Sequence, residues 1–171
     1  MVGASGAVGS IAVQLAKAFG AEVTGVCGPR DVELTHSLGA EHVVDYSRQD
    51  FADGARRYDL ILDVFGRTPL RRLRRALTPS GTLVIAGGEG DRWIGGLQRQ
   101  LGATVLSPFL RQTLTFFVAK ETAADLRAIN ELVEAGKVAP VMARTYPLIE
   151  TPDAVAQLQT GATSGRLAVT V

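Results

Sequence analysis

Gly3-Ala4-Ser5-Gly6-Ala7-Val8-Gly9-Ser10 runs straight into an apolar-periodic stretch, Ile11 to Phe19. Closely spaced glycines ahead of a helix mark the strand-to-helix turn of a Rossmann unit, where backbone approaches the diphosphate of a dinucleotide. Gly6 removes the Cβ that would stand in the way. Gly9 lets the helix lie close on the sheet, and the amides near Ala7 and Val8 point at the anion from the helix start. Taking Ala4, Gly6 and Gly9 as the three positions gives A-x-G-x-x-G, not the strict G-x-G-x-x-G. A tight turn without a ligand has the same pattern. Context favours the nucleotide, because the helix follows at once and a second strand-like run arrives on schedule. Only Met1 and Val2 precede Gly3, where a feeding strand of several apolar residues is expected.

Outward from this turn, strand-like and helix-like segments alternate. Glu22–Cys27 reads as a strand closing at Gly28-Pro29, Asp31–Ser37 as a helix and His42–Val44 as a strand. A brief helix is expected near Asp50–Arg56. Tyr58-Asp-Leu-Ile-Leu-Asp-Val64 is apolar on both faces, as a buried parallel strand is. A basic helix from Pro69 to Leu77, a Pro79-Ser80-Gly81 turn, and a strand over Thr82–Ala86 follow. A helix near Trp93–Leu101 and a strand at Ala103–Leu106 complete the alternation. The pattern predicts an α/β, Rossmann-type, doubly wound parallel sheet lacking most of its first strand. Ligands bind such sheets beyond the carboxyl ends of the strands, where the strand order reverses. The candidate cofactor residues at those ends are Ser5, Gly6, Ala7, Val8, Gly9, Arg30, Phe65, Gly87 and Gly88.

After Pro108 the rhythm changes. Thr113–Val118 is strand-like, Ala123–Ala135 an amphipathic helix capped by Gly136, Val138–Tyr146 strand-like, Pro152–Leu158 helical and Arg166–Val171 a last strand. This divides the chain into a nucleotide-binding domain, residues 1–136, and a carboxyl-terminal segment, 137–171, that docks elsewhere. The missing strand is central and buried in the order 3-2-1-4-5-6. Four or five aliphatics at about 1.5–3 kcal/mol each rival a domain's whole net stability of about 5–15 kcal/mol. The isolated chain is therefore expected to be marginal, and a misassigned start, a broken gene or a second polypeptide would each explain it.

Bulk properties exclude several classes. The chain has 171 residues, 46% hydrophobic and 20% charged, with a net charge of +1. That charge gives no general pull toward nucleic acid or anionic membrane. No apolar run reaches the roughly 18 residues of a membrane span. The single cysteine, Cys27, rules out an internal disulfide and a thiolate zinc site made by this chain alone. A reducing cytoplasm fits. A P-loop would need Gly-Lys-Ser/Thr, which is absent. A nucleophile elbow would use Ser5, but Ala7 stands where it needs glycine. A methyltransferase would want an acidic residue at the end of the second strand, where this chain has Gly28-Pro29-Arg30.

The same position bears on the coenzyme. NAD-preferring enzymes place Asp or Glu there to bond the ribose 2′-hydroxyl. Arg30 instead suits a 2′-phosphate, which puts NADP(H) ahead of NAD(H). Its alternative is an ordinary solvated loop residue. Asp31 is expected to cap the next helix.

Five blocks in order carry a wider resemblance: Gly3–Ser10, Leu38-Gly-Ala-Glu-His-Val-Val-Asp-Tyr46, Tyr58–Gly66, Leu77-Thr-Pro-Ser-Gly-Thr-Leu-Val84 and Leu132-Val-Glu-Ala-Gly-Lys-Val-Ala-Pro140. Together they resemble the medium-chain dehydrogenase/reductase superfamily, in its zinc-independent, quinone-oxidoreductase-like branch, across essentially the whole chain. The resemblance implies NADPH-dependent reduction of quinones, enones or related carbonyls, with no metal held by this portion. It implies that Tyr46 lies near the adenosine 2′-phosphate, or else covers the sheet edge. It puts Gly87-Gly88 and Ser107-Pro108-Phe109 beside the nicotinamide, and has the tail from about Lys137 complete a GroES-like catalytic domain absent from this chain. No catalytic acid is named, since that domain supplies one wall of the cleft. A truncated, non-catalytic NADP(H)-binding remnant is the rival reading.

Lesser features read blandly. Arg71, Arg72, Arg74 and Arg75 form a solvated helix face, His36 and His42 lie on a helix surface and a strand edge, and Cys27 is a small buried hydrophobe. Asp63 suggests a structural hydrogen-bonding role at a strand end. Ala103–Leu106 and Thr113–Val118 suggest an edge for a homodimer, by analogy.

Overall fold

The computed structural model describes residues 1–86, 111–116, 122–160 and 163–171. The expected helix near Trp93, the strand at Ala103, and Gly87, Gly88 and Phe109 lie outside the described residues. Helix α1 (Gly9–Ala18) leads to β1 (Thr24–Cys27), then α2 (Val32–Ser37) and β2 (His42–Asp45). β3 (Tyr58–Asp63), α3 (Leu70–Ala76), β4 (Leu77–Ile85) and β5 (Thr113–Phe116) follow. The later elements are α4 (Ala123–Glu134), β6 (Met142–Pro147), α5 (Thr151–Gln159) and β7 (Arg166–Thr170).

β1 pairs in parallel with β2, and β3, β4 and β5 form a second parallel group with β4 in the middle. Val2 joins the two groups, bridging Val26 on one side and Asp63 on the other. The Val26 amide donates to the Met1 carbonyl at 2.8 Å, and the Val2 amide to the Leu62 carbonyl at 2.9 Å. The lateral order is thus β2-β1-Val2-β3-β4-β5, the Rossmann order with two residues standing for the first strand. Val2, Val26, Ile61, Leu73, Leu77, Leu83, Ile85 and Leu114 form the core under one face of the sheet. Ala4, Val13, Val23 and Ala40 form a second, smaller cluster.

Before Met1's position along the sheet, β1 and β3 face each other across a groove of about 630 Å³ lined by Met1, Ala12, Ala16, Thr24, Tyr58 and Leu62 among others. The leading half of β3 is therefore less buried than its sequence suggests. Leu60 is 60% exposed, whereas Ile61, on the core side, is 3% exposed.

Two further expectations are corrected. Residues 50–56 form turns, not a helix, because Asp50 and Asp53 accept hydrogen bonds from the amides of Ala52 (2.9 Å) and Ala55 (2.8 Å). Such side-chain bonds offer the backbone an alternative to the helical ladder. The tail also keeps the strand–helix rhythm: β6 and β7 pair in parallel, with α5 between them in sequence. It lies against the opening turn, since Gly6 bridges Gly165 and the side chain of Gln14 exchanges two 2.8 Å bonds with the Ala139 backbone.

Candidate nucleotide site

The turn between Val2 and α1 is built by glycines with different duties. Gly3 adopts φ +84°, a conformation costly to side chains, so the tight-turn position belongs to Gly3 and not to Ala4. Ala4 is instead fully buried, in one cluster with Val13 of α1, Val23 and Ala40. A Cβ on Gly9 would sit 1.9 Å from the Gly3 carbonyl oxygen, so the helix can lie this close only without one. Gly6 differs, because a Cβ there would meet only the Gly3 oxygen at 3.6 Å, ordinary contact. Among the described residues nothing in the fold requires Gly6 to be glycine.

Among the described residues no acceptor takes the amides of Ala7, Val8 or Gly9. No side chain caps α1, and its first turn holds no acidic residue. Among the described residues the positive end of the helix is therefore left without a compensating side chain. Val8 is exposed beside it. This geometry suits an anionic group with several oxygens, at the point where the strand order reverses.

The other candidates ring this turn at the carboxyl ends of the strands. Arg30, in the short turn after β1, is exposed, and no carboxylate among the described residues lies within ion-pair distance of it. Tyr46 follows β2 and Phe65 follows β3, and the structure brings their rings together at 6.3 Å between centroids, 20° from parallel. The Arg67 guanidinium lies 5.2 Å over the Phe65 ring. A Cβ on Gly28 would lie 3.2 Å from the Tyr46 hydroxyl, so the tyrosine closes down on the end of β1.

Asp31 behaves differently from expectation. Its side chain makes no capping bond to α2. One oxygen accepts from the Ser5 hydroxyl at 2.7 Å and the other from the Ser164 hydroxyl at 2.5 Å. The Gly165 amide donates to the Ser5 carbonyl at 2.9 Å, so backbone as well as side chains ties the tail to the turn. Ser164 is the residue that sequence reasoning missed. It is distant in the chain from Asp31 and carries no local motif; a glycine at φ +86° beside it is its only mark.

Asp63 is fully buried at the end of β3, where an Oδ1 accepts the Gly66 amide at 3.0 Å and fixes the turn that presents Phe65. The Met1 ammonium donates to the Thr24 carbonyl at 2.8 Å. Burial lowers its pKa from 8.0 to about 6, partly opposed by the charge of Asp63. Cys27 is buried, and burial pushes its thiol pKa up, which disfavours the thiolate needed for nucleophilic or metal chemistry. Among the described residues there is no group of three His, Cys, Asp or Glu side chains placed to hold a metal ion. Nor is any described helix long and apolar enough to cross a membrane. The arginine run is not uniformly solvated: Arg72 pairs with Asp50, and Arg74 is half-buried.

Comparison with known proteins shows the family and the fold. The model of the family described as zinc-binding dehydrogenase matches residues 38–169. Mouse mitochondrial NAD(P)H oxidoreductase RTN4IP1 is 35% identical, the alignment covering 100% of this chain and 47% of that protein. The chloroplast envelope quinone oxidoreductase homolog of Arabidopsis thaliana is 31% identical over 97% of this chain and 50% of its own length. The chain thus spans about half the length of these curated relatives. Among solved structures, an alcohol dehydrogenase superfamily protein from Novosphingobium aromaticivorans superposes with TM-score 0.77 at 27% identity, covering 99% of this chain and 54% of that one. The quinone oxidoreductase from Coxiella burnetii shares the fold, with TM-score 0.81 at 23% identity over 99% of this chain and 51% of its own. The chain belongs to the zinc-binding dehydrogenase family, within the medium-chain dehydrogenase/reductase superfamily that its five sequence blocks resemble.

Proposed function

We propose that this chain is the coenzyme-binding portion of an NADP(H)-dependent oxidoreductase that reduces a quinone, an enone or a related carbonyl compound. The observation that carries the reading is the opening turn: amides at Ala7, Val8 and Gly9 that no acceptor takes among the described residues, beside a Gly6 where a Cβ would make only an ordinary contact. The diphosphate sits on those amides, with the Ser5 backbone at its flank. Tyr46 and Phe65 offer an aromatic wall, and Arg30 meets a 2′-phosphate, which favours NADP(H) over NAD(H). Gly87, Gly88 and Phe109 are assigned to the nicotinamide end on the resemblance alone. The relatives named as NAD(P)H and quinone oxidoreductases support the reaction class.

When bound, the coenzyme supplies the hydride. This chain's residues hold its diphosphate and fix its orientation. Residues 1–136 form the binding domain, and 137–171 form the segment that extends toward the remainder of the enzyme. Although zinc appears in the family's description, the donor set among the described residues does not fit it.

The test is NADPH consumption by the purified protein with p-benzoquinone and with an alkenal as acceptors, alongside NADPH binding. Saturable binding with turnover supports the oxidoreductase. Binding without turnover favours the non-catalytic remnant. A folded protein that binds neither coenzyme overturns both.

A further inference from the structure

The Ser5–Asp31–Ser164 bridge adjoins the arginine on which the coenzyme preference rests. A carboxylate directly after Arg30 has three courses open to it. It can accept from a ribose 2′-hydroxyl, which favours NAD(H). It can pair with the neighbouring guanidinium and cancel the charge a 2′-phosphate would meet. Or it can turn away from both. In the structure it turns away, with one oxygen on Ser5 at 2.7 Å and the other on Ser164 at 2.5 Å. Arg30 is left exposed, without a carboxylate in ion-pair range among the described residues. The Ser164 anchor is held independently of Asp31, because the next amide, that of Gly165, donates to the Ser5 carbonyl at 2.9 Å.

Resting on the nucleotide-binding reading above, we propose that Ser164 determines coenzyme specificity by holding the Asp31 carboxylate off the ribose end of the site, which keeps Arg30 free for a 2′-phosphate. Ser164 reaches this site from the far end of the chain, so the carboxyl-terminal segment takes part in choosing the coenzyme.

The experiment compares dissociation constants for NADPH and NADH in the wild type, Ser164→Ala, Asp31→Ala and the double variant. Ser164→Ala should lower the NADPH-over-NADH preference about tenfold, the size of one lost charge-assisted pairing. Asp31→Ala should keep the wild-type preference or raise it, and the double variant should recover it. Ser164→Thr, which retains the hydroxyl, should keep the preference, and Ser164→Gly, which cannot clash, should lose it. A purely structural bridge would weaken both coenzymes alike and leave the ratio unmoved. That result, or a double variant no better than Ser164→Ala, overturns the proposal. If the wild type binds neither coenzyme, the proposed function itself fails. If it binds them and the ratio stays fixed in Ser164→Ala, only the role of Ser164 fails.

Discussion

Gly6 and Gly9 are three residues apart and do opposite work. Gly9→Ala drives a Cβ into the Gly3 carbonyl and should cost about 1–3 kcal/mol of stability, read as a lowered urea midpoint. Gly6→Ala finds room in the free protein, so its midpoint should stay near wild type while NADPH affinity falls about tenfold or more. Equal losses of stability in the two variants would contradict this division. The sequence pattern makes the packing role of Gly9 legible, because helix packing acts locally. It misplaced the turn residue, since a φ of +84° at Gly3 is a backbone property that Gly3-Ala4 does not reveal by itself. General capping preference assigns Asp31 to the start of α2. The two hydroxyls that won it come from other elements, one of them at the far end of the chain.

At the scale of elements, burial decides what each strand and helix contributes. Leu73 of α3 is fully buried against β4, and Leu73→Ala should cost about 2–5 kcal/mol. Leu60, 60% exposed on β3, should cost under about 0.5 kcal/mol as Leu60→Ala. Urea unfolding of both variants checks the contrast, and equal losses would contradict the difference in burial between Leu73 on α3 and Leu60 on β3.

Charge gives a second check, read as the urea midpoint against pH. Glu41 works at the acid end. The Lys17 ammonium, followed by the Val23 amide, holds its carboxylate pKa at about 2, so its contribution is present above the ordinary 4.5 and fades as pH falls toward 2. Glu41→Gln should shallow that acid limb. The alternation of strands and helices was legible because burial imposes its periods on the sequence. The turns at 50–56 were not, because aspartate side chains outcompete a weak helical pattern there.

Over the whole molecule, strand order is what aims the chemistry. Val2 lies between β1 and β3, so the turn that follows it opens where the order reverses. Apolar side chains remain exposed on the later elements, Leu126, Ile129 and Val133 along one face of α4 and Ile149 and Leu158 near α5. The chain spans about half the length of its curated relatives. The sequence implies a tail that docks elsewhere, and the tail's contact with the opening turn is not legible in it, because Gly6–Gly165 pairing joins residues near the two ends of the chain. The most direct test of coenzyme binding at this turn is an NMR titration of the folded protein with NADPH, following backbone amides. Saturable shifts should concentrate at Ala7, Val8 and Gly9, with NADH needing a higher concentration to reach the same change. Amides there that stay fixed while NADPH saturates the protein, or no saturation at all, would contradict a diphosphate site on the opening turn.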